Sequence, residues 1–468
     1  MNIPAHAKPA SFPSAHGKNP KNPRLFLWSL VSALAGFLFG FDTVVISGAE
    51  KTIQGLWQLS PGMHGLAMSS ALWGTVLGAM VGSWPTDQFG RKKTLLGIGL
   101  LFLVGSVWSA LAQEVNGFMV ARFLGGISIG ISTVAAPLYI SEIAPPESRG
   151  RLAGMFQFNI VFGILMAFVS NSFLANLGDH SWRWMLGIMA FPSLVYTASC
   201  FLIPESPRWL LSRQGDRASG LKVLQLIQPG ATVAELEGLA ESMLSAEKEV
   251  SSSKGFWRWG MKTPIFIAIL IAFFNQLSGI NAILYFAPRI FELTGLGTQA
   301  ALLQSVGIGV ANLVFTFLGL WLIDRIGRRT LLYFGSFGYI GSLGLCAWAF
   351  QSGHFALVPA CIFAFIAAHA VGQGAVIWVL ISEIFPDFYR AKGQSLGSFT
   401  HWVFAALLTL FFPKMVELSG AEQDPKRASF IFLFFCGMMV LQLIWVRFMV
   451  PETKGRTLEQ IQHDLKIT

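Results

Sequence analysis

The sequence predicts an all-α membrane protein of twelve transmembrane helices in two parallel six-helix halves. Three observations predict it. Of 468 residues, 53% are hydrophobic and only 12% charged, against about 25% charged in a soluble domain. Apolar segments of about 20 residues, the length that crosses a bilayer, recur along the whole chain. Short motifs in the first part return in the same order in the second. Backbone polar groups inside lipid must be bonded within their own segment, which selects helices. The short alternating segments of a barrel are not found in the sequence.

The spans fall near 25–47, 64–84, 94–113, 117–140, 152–176, 184–203, 264–290, 301–323, 330–351, 355–381, 394–416 and 428–450. The first is too long for a signal peptide and lacks a small-residue cleavage site, so it is read as retained. Residues 1–24, rich in Pro, Ala, His and Lys, read as a disordered tail. An N-terminal bundle is expected over 25–203, a linker over 204–263, a C-terminal bundle over 264–450 and a second tail over 451–468. In the linker, "TVAE" from Thr232 reads as a capping box, with Glu235 reaching back to the Thr232 amide. Leu236, Leu239 and Met243 then form an apolar stripe, and Pro229-Gly230 separates this helix from a shorter one. Two or three surface helices are expected there.

The net charge of +9 raises the question of a nucleic-acid partner, and its distribution answers it. With both termini in the cytoplasm, and with Lys414 and Arg447 counted with the loops that their span ends adjoin, 26 of the 33 Lys and Arg lie in the tails and cytoplasmic loops. Five lie outside (Lys51, Arg183, Lys414, Lys426, Arg427) and two within spans (Arg122, Arg289). This is a positive-inside bias, so the basic charge sets topology and no nucleic acid is implied. The four cysteines all fall in apolar spans without metal spacing and read as small packing residues.

"DQFGRKK" at Asp87 returns as "DRIGRRT" at Asp324. "SEIAPPESRG" at Ser141 returns as "SEIFPDFYRA" at Ser382, and "PESPR" at Pro204 as "PETKG" at Pro451. Three pairs at nearly one offset indicate a duplicated six-span unit. Six is even, so both copies share one orientation, an architecture that places a transporter's site between the halves at mid-depth.

These strings, with "RFLGGISIGI" from Arg122, "PESPRWL" from Pro204 and "NQLSGINAILYF" from Asn275, resemble the sugar porter branch of the major facilitator superfamily. The resemblance covers nearly all of the chain after the tail. It implies a major facilitator fold and transport of a monosaccharide, with bacterial proton-coupled symporters of pentoses or hexoses as the pattern. A passive facilitator or polyol carrier is the alternative, and a non-transporting sensor is disfavoured by the short C-terminal tail. No metal spacing, nucleophile motif or phosphate loop points to an enzyme, and no cofactor is expected beyond the proton as coupling ion. The implied partners are a monosaccharide, protons and the lipid bilayer. A monomer in a bacterial inner membrane is expected.

The repeated loops read as a cytoplasmic gate. Asp87, Gly90 and Arg91 match Asp324, Gly327 and Arg328, with glycine supplying backbone freedom at a tight turn. Glu142 and Glu383 end the fourth and tenth spans on the same face, followed by Arg149 and Arg390, and Glu205 and Glu452 end the sixth and twelfth. Acids and guanidiniums at one depth form bidentate pairs across helices. Such a layer is expected to latch the cytoplasmic side.

A sugar site needs amides, which donate and accept at once, and aromatic faces for C–H patches. The resemblance implies sugar contacts at Gln157, Gln276, Asn281, Asn312, Trp378 and Trp402. Asn275 and Tyr285 stand in the same seventh-span motif, His401 precedes Trp402, and Phe39 is expected as an aromatic wall. Gln276 and Asn281 are five residues apart and share a face only if the helix breaks, for which Gly279 is placed. The chain departs from the family pattern at Asn275, Phe286, Gln373 and His401, each altering hydrogen-bonding capacity near the pocket. His369 reads as a packed neutral imidazole.

Asp42 is the one acid in the first span. It stands 17 residues from the inner start, roughly 25 Å, and Arg122 stands roughly 8 Å below the outer edge of the fourth span. In a core about 30 Å thick the two share a depth. Burial favours a protonated carboxylate and an adjacent guanidinium favours the ionised one. A pair that forms and separates with the transport cycle therefore takes up and releases a proton. A permanent bridge between the two spans is the competing reading.

Overall fold

The computed structural model describes residues 22–250, 256, 259–386, 389–456 and 458–465. Eleven helical segments among them are long and apolar enough to cross a membrane: Pro23–Gly48, Arg91–Leu111, Val115–Ile143, Gly154–Leu174, Ser181–Leu202, Lys262–Glu292, Thr298–Ile326, Arg328–Ser352, Phe355–Ile384, Arg390–Ser419 and Pro425–Met449. The helix Pro61–Val81 stands at the expected second span, its apolar character reduced by His64, Ser69, Ser70 and Thr75. The spans are numbered below in chain order with this helix as the second. The N-terminal tail expectation falls on residues outside those described, apart from its last three.

Local chemistry starts and stops these helices where the sequence places the signals. The Ser60 hydroxyl accepts from the Met63 amide ahead of Pro61 at the second span. Asn22 accepts from the Arg24 amide and donates to the carbonyls of Leu226 and Ile227 at 2.9 and 3.1 Å, pinning the first span to a surface helix. The turns before the third and ninth spans pass through Gly90 (φ 91°) and Gly327 (φ 97°). A side chain there would also meet the carboxylates of Glu205 and Glu452.

Small residues set the packing, as they do where lipid supplies no hydrophobic drive between helices. A methyl on Gly40 would strike the Ile160 carbonyl, and one on Gly163 that of Phe37, so the first span lies against the fifth. Gly126 meets the Ala71 carbonyl between the fourth and second spans. Two seams join the first six spans to the last six: the second span on the eleventh, at Gly65 against Leu410, and the fifth on the eighth, at Gly309 against Leu165.

Among the described residues three spans are interrupted: the sixth between Ser181–Gly187 and Ala190–Ser199, and the seventh and tenth beside the cavity. The seventh runs Lys262–Leu277, turns at Gly279 (φ 93°) and resumes as Ile280–Glu292, with a second departure from helical geometry at Phe286. The tenth carries a π-helical segment at Ala370–Gly374, a feature common at functional sites. The segment after the sixth span forms surface helices Arg217–Ile227 and Val233–Val250. The capping box is present, with Glu235 accepting from the Thr232 amide at 2.7 Å. Leu211, Leu224, Leu236 and Ala240 form the small core there. Met243 packs at its edge and Leu239 is only half-buried, so the stripe is rotated slightly from the expected one.

Candidate functional site

A cavity of about 140 Å³ lies between the two sets of six spans. Phe39, Gln157, Asn275, Gln276, Asn281, Asn312, His401 and Trp402, all anticipated from the sequence, line it. Thr43, Thr316 and His369 join them. Phe39 and Trp402 meet edge to face across the halves, ring centroids 5.4 Å apart.

The break at Gly279 decides the polar wall. Gln276 and Asn281, on opposite sides of it, come together: Asn281 Nδ2 donates to Gln276 Oε1 at 2.6 Å. Gln276 Nε2 donates to Asn275 Oδ1 at 2.9 Å and lies 3.2 Å from both ring nitrogens of His401. An imidazole thus stands as a hydrogen-bonding partner of the Gln276 amide. His369 Nδ1 is 2.7 Å from the Tyr339 hydroxyl, and the residue faces the cavity instead of being only packed.

Two expected contacts stand elsewhere. Tyr285 is buried in the upper part of the seventh span, off the cavity wall and within electrostatic reach of Arg122 and Asp42. Tyr285 stands nine residues past Gln276, a spacing that puts the two on opposite faces even of an unbroken helix. Trp378 stands behind His401, ring centroids 5.2 Å apart, and its carbonyl accepts from Gln394.

Asp42 and Arg122, each 3% exposed, meet at the depth that the residue counts give them in common. Arg122 Nη1 donates to Asp42 Oδ1 at 2.5 Å, and Nη2 to the Asp42 carbonyl at 3.1 Å. The other carboxylate oxygen, Oδ2, is buried without a hydrogen-bond partner. Thr43 and Phe39, beside Asp42 and one turn before it, are cavity residues, so the ion pair and the cavity share one stretch of helix.

The repeated motifs form two matched clusters on one face of the membrane domain, each joining helices of its own half. Arg91 donates from Nε and Nη2 to Glu142 at 2.9 and 2.8 Å and pairs with Asp87 at 3.3 Å. The amides of Arg91 and Lys92 donate to Glu205. Burial raises Glu205 above the ordinary carboxylate range, and the amides of Ser206, Lys92 and Arg91 pull it back. In the second half Arg328 donates to Glu383 at 3.0 and 2.7 Å and pairs with Asp324 at 3.1 Å, while the amides of Arg328 and Arg329 donate to Glu452. Arg390 donates from Nε to the Ser382 carbonyl. The Arg149 side chain lies outside those described.

Ion pairs between the halves stand on the opposite face, where sequence reasoning placed no gate. Lys51 pairs with Glu292 at 2.5 Å and Arg289 with Glu50 at 3.4 Å. An arginine inside a span was the available signal, because such a charge needs a partner.

The sugar (and other) transporter family model matches residues 28–465. The arabinose-proton symporter of Bacillus subtilis is 35% identical over 450 residues, covering 94% of each chain. The D-xylose-proton symporter of Escherichia coli K12 is 33% identical, covering 94% of this chain and 95% of that one. The solved structure of the xylose transporter XylE from E. coli, in a partially occluded inward open conformation, superposes with a TM-score of 0.81 at 29% identity. It covers 93% of this chain and 100% of that one. With its fold and its paired motifs accounted for, the chain belongs to the sugar (and other) transporter family.

Proposed function

We propose that this chain carries a monosaccharide, a pentose or a hexose, together with a proton across a bacterial inner membrane by alternating access. On this reading the motif face and both termini are cytoplasmic, as the Lys and Arg bias favours. The transporter works as a monomer, and its ligands are the sugar, the proton and the bilayer. Relatives named as proton symporters of arabinose and xylose support the reading.

The observation that carries it is the buried Asp42–Arg122 pair beside the cavity. Arg122 stabilises the ionised carboxylate through Oδ1, and Oδ2 is the atom with room for a proton. A proton there cancels the attraction and frees the first span from the fourth. Phe39 and Thr43, on the same helix, transmit that change to the cavity wall. The sugar's hydroxyls meet Gln157 from one half and Gln276, Asn281 and Asn312 from the other, so binding favours closure around it. The Arg91 and Arg328 clusters brace each half, which then moves as a unit.

Uptake of a panel of labelled sugars into proteoliposomes, with and without an imposed pH gradient, tests this. Accumulation of one sugar only under the gradient is expected. Uptake that merely equilibrates in both conditions makes the protein a facilitator with a permanent Asp42–Arg122 bridge.

A further inference from the structure

The face opposite the motif clusters holds ionisable groups that neither the cavity nor the Asp42–Arg122 pair uses. Glu50 begins a short helix, Glu50–Leu56, just after the first span and is 1% exposed. Two basic groups approach the same oxygen of it. Arg289 Nη1, from the seventh span, stands 3.4 Å from Oε2, and His64 Nε2, from the second span, 3.1 Å from it. Arg289 also donates to Gln54 at 2.5 Å and to Glu422 at 3.1 Å. Glu50, Lys51, Gln54 and His64 belong to the first six spans; Arg289, Glu292 and Glu422 belong to the last six. The network therefore ties the halves together on this face.

His64 is fully buried, and neither ring nitrogen makes a hydrogen bond; the approach to Glu50 is off the line of one. Buried polar groups are normally bonded, so an unbonded imidazole calls for a reason. Its ring stands edge-on to Phe286, centroids 5.9 Å apart, and Phe286 is where the upper seventh span leaves helical geometry. The imidazole has its carboxylate in its own half and its packing partner in the other. The remaining charged groups on the spans that pack here are committed elsewhere. Arg122 of the fourth span is bound to Asp42, Lys414 of the eleventh to Glu417 at 2.5 Å, and Lys51 to Glu292.

We propose that His64 is a second proton-binding site, set in the outer gate, where an external proton replaces Arg289 as the countercharge of Glu50 when the gate opens. With this face closed, Arg289 already answers the carboxylate, and an imidazolium would crowd a second cation onto the same oxygen. Opening withdraws Arg289 with its half. Glu50 is then left as a poorly compensated charge unless His64 takes a proton from the outer medium. On closing, Arg289 returns and the proton leaves to the side it came from. The site moves no proton across the membrane; it makes outside acidity favour the outward-facing state. This inference rests on the orientation proposed above, which puts this face outside.

The test is the separation of spin labels at Gly55 and Gly297 in the full chain in lipid nanodiscs, without sugar, from pH 8 to pH 5.5. Both glycines are exposed, lie in different halves and have open space around them, and the native cysteines are replaced. A proton that binds the open state about ten times more tightly raises the long-separation population up to about tenfold. His64→Gln and Glu50→Gln, each placed in an Asp42→Asn background that removes the coupling acid's own response, are expected to abolish the rise. A flat profile in that Asp42→Asn background overturns the proposal, as does a response that survives His64→Gln there. If His64→Gln does not insert, Glu50→Gln decides by the same criterion. A flat profile in the Asp42→Asn background leaves sugar–proton transport standing, whereas absence of sugar uptake in proteoliposomes removes the transport reading itself.

Discussion

Replacing Asp42 by Asn removes one charge and keeps the shape. Breaking a buried ion pair by deleting one partner costs about 3–5 kcal/mol, because the other charge is stranded. Here the loss is softened. The amide oxygen can still accept from Arg122 Nη1, and Nη2 keeps its 3.1 Å contact with the residue 42 carbonyl. The variant is therefore expected to fold and to bind sugar. Coupling is lost outright, since an amide takes no proton. One proton moving down 100 mV supplies about 2.3 kcal/mol, which supports roughly fifty-fold accumulation at a tenfold per 1.4 kcal/mol. In proteoliposomes with a 100 mV driving force, the parent should approach that ratio and Asp42→Asn should stop near one. Counterflow of labelled against unlabelled sugar should continue in both. A variant that still concentrates sugar would refute the assignment of Asp42 as the coupling acid.

Gln276→Ala removes the acceptor of Asn281 and the donor to Asn275 and His401. At about 1 kcal/mol per hydrogen bond, sugar affinity measured by tryptophan fluorescence should fall roughly ten- to hundredfold; an unchanged Kd would take the seventh span out of the site. His401→Asn retains an acceptor for Gln276 and should bind better than His401→Leu, which leaves that amide unpaired; the order of the two Kd values checks it. Tyr285→Phe should leave sugar affinity intact and shift the pH profile of uptake, because the hydroxyl stands near the ion pair and off the cavity. Gly327→Ala forces a Cβ into positive φ and onto the Glu452 carboxylate, a strain of about 1–3 kcal/mol that should lower the Tm in a thermal-shift measurement.

Much of this molecule is written in local signals. Hydropathy marks the spans because lipid tolerates only long apolar helices. The duplicated Asp-x-x-Gly-Arg and Ser-Glu strings mark two equivalent halves, and Gly90 and Gly327 occupy equivalent strained turns. Thr232 and Glu235 announce a helix start that forms as read. Even the shared depth of Asp42 and Arg122 follows from residue counts, since rise per residue converts sequence position into depth in a slab of known thickness.

Depth is not direction, and that is where the sequence by itself stopped. It determined which residues share a level of the membrane, but facing depends on how each helix is rotated and bent. The turn at Gly279 brings Asn281 onto Gln276, which a regular helix would hold apart. The placement of Trp378 behind His401 likewise depends on how the tenth and eleventh spans pack. The Glu50–His64–Arg289–Glu422 network draws on four separate elements. No local pattern encodes such a meeting, because only the packing of one half against the other brings those charges within reach.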